Sequence, residues 1–332
     1  MILTTKRLKL RPWREQDAEA LYFYARDPEV GPSAGWRPHA NAVESLALIR
    51  TVLNGPACFA ICEAGCDVPI GAAELRLNGH TDMTQRDDEC ELGYWLGKPF
   101  WGRGYMPEAA AALLDYGFSQ LHMTTVWCGY YDGNNKSRRV QQKLGFLYHH
   151  TCDSVPVPQM QEERVGHTNY MPRSRWQILR QQQTAESVPM TEGLLDSWIA
   201  LVEQVRDSFP GLDTPEALEE HRQIVAQQLA KGEALCISVE QKVAAALIFS
   251  RAHNEICFLA VHPELRQLGL GKKLLQAGLA QLDSGRDITV TTFRETDEKG
   301  AAALALYRSC GFQPGALTEA FGASCQCWTL KP

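Results

Sequence analysis

Two short glycine loops carry the clearest chemistry in this chain. Phe100-Trp101-Gly102-Arg103-Gly104-Tyr105 leads into an apolar stretch with helical spacing, and Arg266-Gln267-Leu268-Gly269-Leu270-Gly271-Lys272 does the same in the other half. A helix that begins directly after such a loop exposes unpaired N–H groups and the positive end of its dipole, a site for anionic phosphate. Glycine lets the backbone approach a bulky diphosphate closely. Each loop is followed, at nearly the same distance, by a second helix that ends in Gly-Phe: Lys143-Leu144-Gly145-Phe146 and Ser309-Cys310-Gly311-Phe312. Taken singly, either loop reads as a turn before a helix. As a matched pair they indicate a duplicated unit with two phosphate sites. Two better-known phosphate loops are excluded. Pro107 and Leu274 stand where a dinucleotide fingerprint needs its third glycine, and Gly271-Lys272-Lys273 lacks the Ser or Thr of a nucleoside-triphosphate loop.

The elements that position these loops follow from periodicity. Alternation over 3–11 predicts a strand, helical spacing predicts helices over 15–25 and 42–53, and strands follow over 57–63, 70–77 and 89–96. After the first loop come a helix over 106–121, a strand over 125–130 and a helix over 135–144 that Gly145 caps. Polar residues 181–187 read as a linker between domains at 1–180 and 188–332. The second half repeats the plan, with helices over 192–207 and 214–231 and strands over 235–239, 243–249 and 255–261. A helix over 272–282, a strand over 288–292, a helix over 300–310 and a strand near 325–330 complete it. Both halves read β-α-α-β-β-β-α-β-α-β, an α/β chain with mixed sheets flanked by helices.

Bulk properties narrow the class. A length of 332 residues favours two domains, since single cores stop growing near ~250–300 residues. A net charge of −6 argues against a nucleic-acid footprint. No apolar run approaches the ~18 residues of a membrane span, and the first residues lack the apolar stretch of a secretion signal. The eleven cysteines are odd in number, scattered and without Cys-x-x-Cys, so a cytoplasmic, reducing compartment and no metal are expected.

At the glycine loops the chain resembles the GNAT superfamily of acyl-CoA-dependent N-acyltransferases, whose loop is Arg/Gln-x-x-Gly-x-Gly/Ala. Residues 266–271 match it fully; in the first half Pro99 falls at the Arg/Gln position. Tyr94-Trp95-Leu96, Trp101-Gly102-Arg103-Gly104-Tyr105, Glu108-Ala109, Asn134-Asn135-Lys136-Ser137 and Arg7-Leu8-Lys9-Leu10-Arg11 are similar to the subfamily that acetylates ribosomal-protein N-termini. The resemblance implies two tandem domains that use acetyl-CoA to acetylate a primary amine by direct attack. Trp101 to Tyr105 and Arg266 to Lys272 would hold the diphosphate. Leu96 and Gly97 in the first domain, and Val261 in the second, would offer backbone N–H groups to the thioester and pantetheine arm from a splayed strand.

Glu91 and Glu255, each at the start of that strand, would relay the amine proton; either reads equally as an exposed strand-end carboxylate. Tyr307, four residues before Gly311, would protonate the departing thiolate. The first domain has Gln141 there, so Asn134 and Ser137 would contact the cofactor and sulfur instead, although Ser137 also reads as a helix-cap hydroxyl. His149 and His150, consecutive on a strand, should point to opposite faces rather than form a metal cluster. Trp36 lies where the acceptor groove would fall. The expected partners are an amine-bearing small molecule or a peptide N-terminus, with no nucleic acid or membrane, and the chain would be a pseudo-dimeric monomer or a homodimer. One active and one degenerate domain, or a non-catalytic acyl-CoA sensor, are the alternatives.

Overall fold

The computed structural model describes residues 1–180, 186–209, 211–212, 214–320 and 322–332. The chain divides into two compact units, Met1–Trp176 and Gln177–Pro332. Of the expected linker, positions 181–185 lie outside the described residues. Among the described residues, no helix is long and apolar enough to cross a membrane.

The first unit runs β1 (Leu3–Thr4), β2 (Leu8–Arg11), α1 (Ala18–Ala25), α2 (Ala42–Thr51), β3 (Cys58–Glu63), β4 (Pro69–Leu77), β5 (Glu89–Leu96) and α3 (Tyr105–Ser119). It continues with β6 (Thr125–Tyr131), α4 (Asn135–Leu144), β7 (Leu147–Val157), β8 (Glu162–Pro172) and α5 (Arg173–Arg180), the last crossing the division. The strands form one sheet in the order β1-β2-β3-β4-β5-β6-β8-β7, antiparallel except for β5 beside β6. β3 and β4 are apolar nearly throughout because both faces of the sheet are covered. Cys58, Ala60 and Ala72 pack with Leu21, Ala25 and Ile49 of α1 and α2. Phe59, on the other face, meets Tyr116 of α3 edge-on, with ring centroids 6.0 Å apart.

The second unit has β9 (Val188–Pro189), α6 (Leu195–Val205), α7 (Pro215–Ala230), β10 (Ala234–Val239), β11 (Lys242–Ser250), β12 (Glu255–Val261), α8 (Leu270–Leu279), β13 (Ile288–Thr292), α9 (Ala301–Ser309), β14 (Gln313–Ala320) and β15 (Ala323–Leu330). Its sheet runs β14-β15-β13-β12-β11-β10-β9, with β12 and β13 parallel. Leu274 and Leu275 of α8 join Leu247 and Phe249 in one core. Trp198, Val202 and Val225 of α6 and α7 join Ala246, Ile248 and Phe258 in the other. The sheet thus lies between two apolar layers, as in the first unit.

Two sequence expectations change. The stretch 3–11 is a hairpin, not one strand: Leu3 pairs with Leu10 and Thr4 with Lys9 around a turn closed by the Thr5 N–H on the Leu8 carbonyl at 2.9 Å. One strand was expected after the last helix of each plan, holding His149 and His150 in the first half; the structure has two, β7 with β8 after α4 and β14 with β15 after α9, the outer ones being β7 and β14. Both are edge strands exposed along nearly their whole length, so they carry no apolar alternation to read.

Candidate active site

Each parallel strand pair begins paired and then parts. β5 and β6 are in register only from Glu89–Thr125 to Glu91–Trp127, and β12 and β13 only from Glu255–Thr289 to Ile256–Val290. Beyond those points β5 and β12 keep their antiparallel partner on one edge only. Hydrogen-bond direction alternates along an antiparallel strand. The Gly97 N–H donates to the Ile70 carbonyl at 2.8 Å, so the Leu96 and Tyr94 N–H groups turn to the open edge. In the second unit His262 N–H donates to Ala244 at 2.9 Å, which turns Val261 and Leu259 outward. Gly97, expected to offer its amide to the thioester arm, therefore has that amide engaged within the sheet. Leu96 and Val261 keep theirs on the splayed edge, and Tyr94 joins them.

The glycine loops follow at once. Gly104 and Gly269 are the N-caps of α3 and α8, both left-handed at φ 77°, and neither helix start is capped by a side chain. Gly102 at φ 76° corresponds to Gln267 at φ 64°, a strained position for a residue with a side chain. Trp101 and Arg266 share an extended conformation just before these residues. The two loops therefore align Trp101-Gly102-Arg103-Gly104 on Arg266-Gln267-Leu268-Gly269, two residues away from the alignment of Gly102 with Gly269 that the sequence suggests. Trp101, not Pro99, occupies the Arg266 position, and it does a similar job. Its Nε1 donates to the Leu96 carbonyl at 2.6 Å, as Arg266 Nε does to Val261 at 3.4 Å. A Cβ placed on Gly102 or Gly269 would meet nothing within 4 Å, so these positions face open space. Lys272 is exposed, while Leu270 turns into the core and Leu268 packs against it. Tyr105 sends its hydroxyl to Glu63 at 2.6 Å, and Arg103 lays its guanidinium 5.6 Å from the Phe100 ring centre, so both side chains turn to protein partners.

From the first loop a cleft of about 950 Å³ runs between β5, β6 and α4. Lys136, Arg139 and Lys143 of α4 line it, one helical stripe apart by three and four positions. Lys136 Nζ sits 3.7 Å from the Trp101 ring centre. Deeper in, the hydroxyls of Tyr94 and Ser137 are 2.9 Å apart. Gln141, fully buried, donates to Ser137 Oγ at 3.2 Å and to the Gly129 carbonyl on the splayed edge of β6 at 3.1 Å, and accepts from Asn169 at 2.7 Å. Burial holds the Tyr94 phenol well above its ordinary pKa, so it stays protonated. Asn134 Oδ1 caps α4 by accepting from Ser137 N–H at 3.1 Å, and its Nδ2 donates to the Ser33 carbonyl at 2.9 Å. Asn134 and Ser137 both line the cleft.

The far end of the cleft is acidic and aromatic. Glu91 is buried, accepts from Thr81 at 2.5 Å and lies 3.4 Å from Arg76 Nη1; Glu74 shares that arginine. Trp36 and Trp95 stand edge to face at 5.9 Å, with Trp127 and Tyr131 also on the wall. The loop bearing Trp36 is fastened over the cleft, since Arg37 donates to the Gln159 carbonyl and Arg164 to the Pro32 carbonyl at 2.6 Å. His149 and His150 do not point apart. A register shift in β7 between Tyr148 and His150 brings their Nδ1 atoms to 2.7 Å.

In the second unit Tyr307 is buried in the core with its ring 5.5 Å from Phe312, and burial pushes its phenol well above the ordinary value. Glu255 is half-buried at the start of β12, with Cys257 Sγ 3.7 Å away on the same face. A Cβ on Gly271 would stand 3.3 Å from both Leu306 and Val261, so apolar side chains close around this helix start. Sequence reading missed Tyr94, Gln141 and Asn169 as a set, because nothing local links β5 to α4.

Comparison with known proteins places this architecture. The profile described as "Acetyltransferase (GNAT) domain" matches residues 7–147, and that of the "Acetyltransferase (GNAT) family" matches 198–312. The uncharacterized N-acetyltransferase p20 of Bacillus licheniformis is 31% identical over 43% of this chain and 81% of its own length. The uncharacterized protein YkkB of Bacillus subtilis is 41% identical over 50% and 96%. Among solved structures, the spermidine N-acetyltransferase of Vibrio cholerae in complex with CoA and spermine is 16% identical, covers 52% of this chain and 99% of its own, and gives a TM-score of 0.43. The chain belongs to the GNAT acetyltransferase family, with two such domains in tandem. Its activity class is N-acetyl transfer, and its acyl donor is acetyl-CoA.

Proposed function

We propose that the first unit carries the turnover, moving an acetyl group to a primary amine by direct attack within a ternary complex. The observation that carries this reading is the convergence of three features on one cleft: an uncapped glycine-loop helix start, outward amides on a splayed strand, and a hydroxyl pair. The residues present suit the donor. Backbone N–H groups at Gly104 and Tyr105, with Lys136, Arg139 and Lys143 nearby, would hold the diphosphate. Leu96 would hold the pantetheine arm, and the Tyr94 N–H would stabilise the oxyanion that develops on the thioester carbonyl. When bound, acetyl-CoA supplies an activated acyl group and a thiolate leaving group.

A free alkylammonium has a pKa near ~10.4, so the acceptor must lose a proton before attack. Glu91, held in place by Arg76 and Thr81, takes that proton through water. Ser137 delivers a proton to the departing sulfur, with the protonated Tyr94 phenol behind it. The acidic far end draws in a cationic amine, while its aromatic walls bury the attached carbon skeleton; a peptide N-terminus and a small amine both satisfy this. The second unit would bind the donor through Gly269 to Lys272 and keep Tyr307 as its acid, but with Leu306 and Val261 closing on Gly271 we assign it the lesser share of turnover. Eleven free cysteines support a reducing, cytoplasmic setting.

Aspartate tolerates the left-handed backbone better than most residues. Gly104→Asp and Gly269→Asp each place a carboxylate against the diphosphate. Calorimetric titration with acetyl-CoA should give two sites per chain in the native protein and one in each variant. An amine panel with thiol-release detection should show turnover lost in Gly104→Asp and largely kept in Gly269→Asp. Unchanged stoichiometry in Gly104→Asp would remove the first site.

A further inference from the structure

The N-terminal hairpin grips the phosphate loop of the first unit through one side chain. Arg7 Nε donates to Glu108 Oε2 at 2.6 Å, and its Nη1 donates to the Arg103 carbonyl at 2.9 Å. Its own backbone N–H reaches Glu108 Oε1 at 2.8 Å, and the Thr5 hydroxyl reaches the same oxygen at 2.6 Å. The guanidinium also covers the Tyr105 ring, 4.7 Å from its centre. Glu108 lies in the first turn of α3, so hairpin, loop and helix start are fastened at a single point.

We propose that Arg7 is a positioning residue for the cofactor: by holding the Arg103 carbonyl it fixes the Gly104 amide toward the diphosphate. This rests on the acetyl-CoA reading of the first unit. A trans peptide is planar, so the carbonyl of residue 103 and the N–H of residue 104 point in opposite directions. Anchoring one aims the other. The loop needs such an anchor because two of its three residues from Gly102 to Gly104 are glycines in left-handed conformations, with little else to define them. A Cβ on Gly102 would touch nothing, and one on Gly104 would meet only Arg7 Nη2, at 3.5 Å. The second loop has Gln267 and Leu268 at the corresponding places, and Leu268 packs against its core, so that loop is ordered by side-chain burial instead. The hairpin does for the first unit what Leu268 does for the second.

The test compares acetyl-CoA with S-acetylpantetheine, which has the same thioester and no diphosphate. In Arg7→Gln the KM for acetyl-CoA should rise about tenfold with kcat within about twofold, the signature of lost preorganisation in binding. Kinetics with S-acetylpantetheine should not change. Arg7→Lys keeps the charge but cannot hold Glu108 and the Arg103 carbonyl together, and should behave like Arg7→Gln. Equal losses with both donors would reveal general loosening and overturn the inference, as would wild-type KM values in either variant. If the unaltered protein itself shows no preference for acetyl-CoA over S-acetylpantetheine, the phosphate site is absent and the functional reading falls first. If it does prefer acetyl-CoA and Arg7→Gln retains that preference, only the role of Arg7 is lost.

Discussion

As the proposed acid, Ser137 would depend on what stands behind it. A lone serine hydroxyl is a poor proton donor, but its oxygen accepts from Gln141 while the Tyr94 phenol lies 2.9 Å away. Burial raises the pKa of the phenol above its ordinary value, which favours its protonated form. Ser137→Ala should lower kcat about a hundredfold with little change in KM for acetyl-CoA, since general acids contribute at this level. Tyr307→Phe should leave most of the turnover in place. Thiol-release kinetics on both variants decide the assignment; the reverse pattern would move the chemistry to the second unit. The parts of this site that stand in consecutive residues were legible in the sequence: the loops, Glu91 at the strand start, and Ser137 near a helix start. The Tyr94–Ser137–Gln141–Asn169 chain was not, because it joins a strand, a helix and a second strand whose proximity only the sheet order creates. Gln141 illustrates the point. By sequence it is a missing acid; in the structure its amide pairs the Gly129 carbonyl that the splay leaves without a strand partner.

Elements were legible where one face alternates with the other, and obscure where no face is buried. β5, β12, β13 and α4 fall on their expected bounds because each carries a strong apolar or capping signal. The edge strands β7 and β14 do not, and the bulge that brings His149 onto His150 inserts a residue that no period-2 pattern foresees. The loop register shifted for a related reason. Left-handed conformation, not glycine identity, marks corresponding positions, and Gln267 holds one of them without being glycine. The hairpin that carries Arg7 also depends on a buried ion pair at its other end. Arg11 is 1% exposed and binds Asp17 through two nitrogens at 2.7 and 2.8 Å. Arg11→Met should destabilise the protein by about 3–5 kcal/mol, because it leaves the Asp17 carboxylate buried without its partner. A denaturant midpoint within error of the native protein would show that Asp17 finds another partner.

At the scale of the whole chain, duplication yields two units with the same sheet plan and different internal chemistry, so they should respond differently to acid. The second unit buries His221 in α7, where its Nε2 accepts from Trp198 Nε1 at 3.2 Å and its ring lies 4.9 Å from that of Phe258. Burial alone pushes this imidazole down to about 4. Between that value and the ordinary ~6.5, the unfolded chain binds a proton that the native unit refuses, so stability falls as the pH falls through this window and is fully restored above it. Protonation at Nε2 would also set two N–H donors against each other. From pH 7 to pH 5 this group should cost about 2 kcal/mol. Scanning calorimetry of the native protein and His221→Gln at both pH values isolates the contribution, since the other carboxylates and histidines titrate alike in the two proteins. If the units melt separately, only one transition should become less acid-sensitive in the variant; a shift of the entire profile would mean that both units unfold as one cooperative body. Parallel pH dependences in the two proteins would show that His221 takes up its proton without cost, and that water or a rearranged Trp198 reaches it in the native fold.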